Sequence, residues 1–369
     1  MFTMAVFLAD AVCNGNCLYC YAGYNKGKQK KKFTPDFERF KKEVSEFYEV
    51  DKKNVGEEVH LEIWGGETTI NKWLAPTCEA VNEIFSAYDK VPSITVVTNG
   101  FNIYDAYLKT PSNVKFQISN DLCYQKETRG RQYMEEEEWN KQIKEIYDNN
   151  RLSGFQSVIT SETSDVLAMY HYFIKWEEQV GIDVSWGLMV CKSYGEEGTE
   201  HLFNKDNCEV LQSSVVNLFR EILLHKEQGI ELKADNRILQ RSFFASLPQL
   251  MDISGFGGRV MYPCMTFSRK SCFLINGERY SCPHDVELGL TSTESLKRYE
   301  EVYEKCAGCT YRWQCRGICS GATRAEKEKN CENLWIYYSS FRRAMLAYMP
   351  INKLEEIEDA QIIQSYRNP

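Results

Sequence analysis

Fifteen cysteines in 369 residues, gathered into two groups, constrain this chain more than any other feature. Three lie within Cys13–Cys20 and eight within Cys264–Cys331; only Cys78, Cys123, Cys191 and Cys208 fall between them. No export signal precedes them: Asp10 interrupts the apolar start, and no Lys or Arg occurs before Lys26. The expected compartment is therefore a reducing cytoplasm. There, an odd number of clustered cysteines points to metal ligation rather than to a disulfide framework.

Composition narrows the classes further. A formal charge of -8 leaves no overall basic footprint for nucleic acid. No uncharged stretch reaches the roughly 18 residues of a spanning helix, so no membrane partner is expected. A chain this long buries enough surface for a large core. Its middle alternates β-rich runs with helical patterns. Thr3–Leu8, the alternating Val59, Leu61 and Ile63, Ile94–Thr98, the alternating Val114, Phe116 and Ile118, Phe155–Thr160 and Val184–Val190 read as strands. Between them, helical spacing starts after Thr34-Pro35 and recurs over Trp73–Tyr88, Glu138–Tyr147, Val166–Trp176 and Asn207–Gln228. Such repetition predicts an α/β fold on a mostly parallel sheet, open or closed into a partial barrel. From about Met261 periodicity gives way to cysteines and turns until Glu332–Leu346, the texture of a small metal-stapled unit.

The first group reads Cys13-Asn-Gly-Asn-Cys17-Leu-Tyr-Cys20, directly after the first strand. Three thiolates on one tight loop suit a cubane iron–sulfur cluster whose fourth iron has no protein ligand. A zinc knuckle is the alternative, but no further Cys or His occurs between Cys20 and His60.

The C-x3-C-x2-C spacing, with the aromatic Tyr19 before its last cysteine, resembles the radical S-adenosylmethionine (SAM) enzymes. Weaker marks follow in that family's order. Trp64-Gly65-Gly66-Glu67-Thr68 is similar to the segment that contacts the SAM amino group. Thr98-Asn99-Gly100 ends the third strand as in relatives. Ser119-Asn120-Asp121 resembles a ribose-contacting Ser-x-Asp, with Leu122 where relatives carry glycine. The resemblance implies SAM as cofactor, an N-terminal partial (β/α)6 barrel, and SAM contacts from Tyr19, Gly65, Gly66, Glu67, Thr98, Asn99 and Ser119. Arg129 and Arg131 are candidates to neutralise the SAM carboxylate, with an exposed surface role as the equal alternative.

The second group has a fixed grammar: Cys264, Gly277 and Cys282, then Cys306-x2-Cys309-x5-Cys315-x3-Cys319, then Cys331. It resembles the SPASM domain of peptide-modifying radical SAM enzymes. With Cys272 it supplies eight thiolates, enough for two cubane clusters or for a pair of zinc ribbons. The resemblance assigns Cys264, Cys272, Cys282 and Cys319 to one auxiliary [4Fe-4S] cluster, and Cys306, Cys309, Cys315 and Cys331 to another. Three [4Fe-4S] clusters are then expected in all. His284-Asp285 follows Cys282-Pro283; relatives that oxidise Ser or Cys use an acid in this neighbourhood as base, directly after the cysteine, where this chain has Pro283, so Asp285 is a candidate catalytic base with an N-cap or turn role as its competitor.

The other features have plain readings. The basic run from Lys26 to Lys32 reads as a solvated loop, Glu135–Glu138 as an acidic helix start, and Cys78 and Cys208 as buried small hydrophobes. The expected division is a barrel over 1–235, a linker over 236–260, the SPASM domain over 261–335, and a C-terminal helix and tail over 336–369. The expected function is oxidation of a ribosomally made peptide to a C–S or C–C cross-link, with a flavodoxin or ferredoxin as reductant. Formylglycine-type oxidation of a protein Ser or Cys, small-molecule dehydrogenation or epimerisation, and a non-catalytic zinc-stabilised interaction protein are the alternatives. Since the cluster loop begins at Cys13, leader recognition is expected on the barrel or SPASM surface, from a separate leader-binding protein, or not at all.

Overall fold

The computed structural model describes residues 2–9, 12–20, 33–52, 58–191, 199–239, 272–280, 286 and 324–348. Six parallel strands run in chain order across the sheet: β1 (Phe2–Phe7), β2 (Val59–Trp64), β3 (Ser93–Thr98), β4 (Val114–Ser119), β5 (Leu152–Ile159) and β6 (Trp186–Val190). A short strand β7 (Cys272–Leu274) extends the sheet beyond β1, again parallel, and β8 (Arg279–Tyr280) returns antiparallel to it. All six strands read from the sequence are present, their ends moved by no more than three residues. The sheet is the mostly parallel one of a partial barrel.

The crossovers are helical. They are α1 (Phe37–Asp51), α2 (Leu74–Ser86), α3 (Ile103–Lys109), α4 (Gln125–Arg129), α5 (Glu137–Asp148) and α6 (Val166–Val180). After β6 come α7 (Glu209–Glu227), α8 (Lys233–Ile238) and, near the C-terminus, α9 (Arg324–Tyr348). The short α3, α4 and α8 carry too few turns to show a periodicity. α1 is capped by Asp36, whose side chain accepts from the Arg39 amide. The C-terminal helix begins at Arg324, earlier than its apolar pattern shows, and packs on α7.

The helices cover one face only. Val114, Phe116 and Ile118 of β4, like Leu61 and Ile63 of β2, are buried against them. The alternate residues Glu62, Thr95, Lys115, Gln117, Ser119 and Gln156 stay half-exposed. Strands of a parallel sheet are ordinarily buried on both sides. Here the polar face is the concave interior.

Cys272 pairs with Ala5 and so shares its concave face. It is buried there with Phe7, Leu274 and Val286. Cys331 is exposed on α9. Cys264, Cys282, Cys306, Cys309, Cys315, Cys319 and Asp285 lie outside the described residues.

Candidate active site

The C-terminal ends of β1 to β4 meet at one place, where an open α/β sheet offers its crevice. The chain leaving β1 runs directly into the three-cysteine loop. That loop is held against the neighbouring strand ends by backbone and amide contacts. Gly65 and Gly66 follow β2 with φ of 127° and 61°. A Cβ on Gly66 would stand 2.1 Å from the Val12 carbonyl oxygen, so only glycine admits this approach. The next amide, Glu67 N–H, donates to that same oxygen at 2.6 Å.

Glu67 is itself buried. Its carboxylate accepts from Thr98 Oγ1 at 2.5 Å, Thr69 Oγ1 at 2.6 Å, the Asn99 amide at 2.6 Å and the Thr69 amide at 3.1 Å. Burial pushes its carboxyl above the usual range, and the hydrogen bonds partly offset this. All these donors belong to the protein, so Glu67 ties β2 to the end of β3. Asn99 continues the chain of contacts: its Nδ2 donates to Asn14 Oδ1 at 2.8 Å, inside the cysteine loop, and Asn14 Nδ2 donates to Asn102 Oδ1 at 2.9 Å. Tyr133 and Trp139 secure the same corner from below, donating to the carbonyls of Asn99 and Gly100.

The other side of the loop rests on β4. Asp121, fully buried after that strand, accepts from the Tyr19 hydroxyl, from Thr128 Oγ1 at 2.7 Å, from Arg129 Nε at 3.1 Å and from the Val158 amide at 3.0 Å. Arg129 is buried too, and its Nη1 donates to Cys17 Sγ at 3.7 Å. Arg131 is exposed and pairs with Glu136. Leu122 adopts a φ of 57°, the left-handed region that favours glycine, and its side chain is wholly buried. The backbone turn is thus kept without the glycine. Ser119 is half-buried at the end of β4, and its hydroxyl has no partner among the described residues.

The donor set suits a cluster. Cys13 and Cys17 both bring sulfur within 4 Å of the point above Gly15 where a Cβ would stand, at 3.5 and 3.7 Å. The Gly15 amide donates to Cys13 Sγ at 3.3 Å. An N–H group aimed at sulfur is one of the contacts that tune an iron–sulfur cluster. Among the described residues no three His, Cys, Asp or Glu side chains converge on a single metal ion. Without metal these are protonated thiols: burial pushes Cys13 up to about 12 and raises Cys17, where Arg129 opposes it. Asn14, Thr69, Thr128 and Tyr133 were not singled out from the sequence, although Asn14 stands within the cysteine motif itself.

Neither a family model nor a curated protein matches the sequence. Solved structures do. The chain superposes on anSMEcpe with bound AdoMet at a TM-score of 0.63 and 17% identity, covering 96% of this chain and 97% of that one. For anSMEcpe with bound AdoMet and Cp18Cys peptide the values are 0.61 and 16%, over 96% and 99%. This is the radical SAM fold. Streptococcus suis SuiB is similar at a TM-score of 0.50 and 14% identity, over 85% of this chain and 66% of that one. The corner assembled here lies at the strand ends beside the three-cysteine loop. Arg129, not the exposed Arg131, is the cation at that corner.

The remaining cysteines differ among themselves. Cys78 is buried on α2, and burial pushes its thiol up to about 12. Cys191 is buried at the end of β6, where its carbonyl accepts from Asn333 of α9 at 2.8 Å. Cys208 is only half-buried and precedes α7 rather than lying on it, so its packing role is partial. No helix among the described residues is long and apolar enough to cross a membrane.

Proposed function

We propose that this chain is a radical SAM enzyme that modifies a peptide, with an open-site [4Fe-4S] cluster on Cys13, Cys17 and Cys20 and auxiliary clusters on the C-terminal cysteines. The observation that carries the reading is the convergence of the three-cysteine loop with the ends of β2, β3 and β4. When bound, the reduced cluster and SAM supply a 5′-deoxyadenosyl radical that abstracts a hydrogen atom from the peptide.

The protein's residues bind and orient. Gly65 and Gly66 keep side chains away from the cofactor's amino end. Glu67, through Thr98 and Asn99, fixes the strand end that faces it. Ser119 offers a free hydroxyl to SAM, and Arg129 a positive charge. The concave face, with Glu62, Lys115, Gln117 and Gln156, receives a polar peptide segment. The substrate radical would close a C–S or C–C cross-link with loss of a proton, and an auxiliary cluster, when bound, would accept the surplus electron; a flavodoxin or ferredoxin would supply the first electron.

A second reading is oxidation of a Cys or Ser side chain to an aldehyde. It is favoured by the end-to-end likeness to anSMEcpe, which exceeds the likeness to SuiB in both score and coverage. Mass spectrometry of a short peptide encoded beside the gene, after incubation with reconstituted enzyme, SAM and reductant, separates the two. Either cross-link removes two hydrogens without creating a carbonyl, and a C–S cross-link also consumes a thiol. An aldehyde reacts with hydrazine. An unaltered peptide alongside abundant 5′-deoxyadenosine would argue against both.

A further inference from the structure

We propose that Arg129, held in place by Asp121, sets the reduction potential of the cluster on the Cys13–Cys20 loop. The inference rests on the cluster reading above and adds to it a role for a buried charge. Arg129 donates through Nε to Asp121 Oδ2 at 3.1 Å and through Nη1 to Cys17 Sγ at 3.7 Å, and its guanidinium stands 5.4 Å from the centre of the Tyr19 ring. One cation therefore lies between a carboxylate and a cluster thiolate, shielded from water.

Holding the loop does not need this cation. The Leu18 amide donates to the Thr128 carbonyl at 2.9 Å, and Tyr19 donates to Asp121. Both contacts anchor Leu18 and Tyr19, next to Cys17, without Arg129. What the guanidinium adds is charge at sulfur. Adding one electron to a cubane increases its negative charge by one. A permanent cation at the edge of the cluster stabilises the reduced form, the more so in a site of low dielectric. Hydrogen bonds to the sulfurs act in the same direction. Asp121 opposes the effect, and the Tyr19 hydroxyl, by donating to Asp121, moderates that opposition. The sign at each position follows. Removing the positive charge makes the cluster harder to reduce, and removing the negative charge makes it easier.

The test is an EPR-monitored potentiometric titration of the anaerobically reconstituted full chain without SAM, with dithionite as electron donor. The signal is assigned by its loss in the Cys13→Ala, Cys17→Ala, Cys20→Ala triple variant. Arg129→Gln should lower the ratio of reduced to oxidised cluster at a given potential by about tenfold, 59 mV for a one-electron couple. Arg129→Lys should retain most of the wild-type potential, and Asp121→Asn should shift it the opposite way. Iron content should stay at the wild-type level in Arg129→Lys. If Arg129→Gln or Asp121→Asn fails to hold the cluster, Tyr19→Phe decides, because it removes only a hydroxyl: a smaller shift in the same sense as Arg129→Gln supports the proposal. An unmoved potential in Arg129→Gln with its cluster intact, or in Tyr19→Phe, would overturn it. If the triple variant keeps the signal, the cluster reading is what has failed.

Discussion

The Val12 carbonyl oxygen occupies the space a side chain on Gly66 would need, 2.1 Å from its Cβ position. Val12 precedes Cys13, so β2 and the cysteine loop meet here backbone to backbone. Gly66→Ala should cost about 1–2 kcal/mol for the left-handed backbone alone, and more as Val12 is displaced. Iron bound per chain and Tm should both fall. A variant with wild-type iron and Tm would mean that Val12 yields freely.

Ser119 and Glu67 should separate in their effects. Ser119→Ala removes an uncommitted hydroxyl and should weaken SAM binding by about 1–3 kcal/mol, roughly 5–150-fold, with little change in Tm. Glu67→Ala strands buried donors from Thr69, Thr98 and Asn99 and should lower Tm sharply. Calorimetric titration of SAM and thermal melts read the two. Unchanged SAM affinity in Ser119→Ala removes that residue from the site.

Leu122 offers a test of sign. Its buried side chain means that Leu122→Ala should cost about 2–5 kcal/mol. Glycine ordinarily costs a further 0.5–1 kcal/mol or so relative to alanine, but at a φ of 57° it should be no worse than alanine. Denaturant midpoints of the two variants settle the order. A glycine variant clearly less stable than the alanine one would contradict the left-handed turn.

Much of this was legible in the sequence, because strands of a parallel sheet and motif cysteines announce themselves locally. Val59, Leu61 and Ile63 alternate, and Cys13, Cys17 and Cys20 carry their spacing with them. What stayed hidden depends on contacts far along the chain. Asn99 reaches Asn14 across 85 residues, and Arg129 reaches Cys17 across 112. No local pattern marks Arg129 as buried and Arg131, two residues on, as exposed. The pairing of β7 with β1 was equally out of reach, since three residues, Cys272–Leu274, show no period.

Glu177 of α6 should make stability depend on pH. It is buried and accepts from the Val184 amide at 2.7 Å, and burial pushes its carboxyl up to about 8, with Asp183 adding to the rise. Its folded value thus exceeds the unfolded one. The contribution is complete below about 4.5 and is lost as pH rises through about 8. Glu177→Gln should flatten that part of the Tm–pH curve and raise Tm by a few degrees at pH 8. Identical curves for variant and wild type would place the carboxyl in water.

The central claim is that the Cys13–Cys20 loop carries the chemistry. Its most direct test is the yield of 5′-deoxyadenosine from SAM and dithionite, comparing the reconstituted full chain with the Cys13→Ala, Cys17→Ala, Cys20→Ala variant. The account requires product from the former and none from the latter, while the variant keeps whatever iron the C-terminal cysteines bind. Equal yields from the two proteins would contradict it.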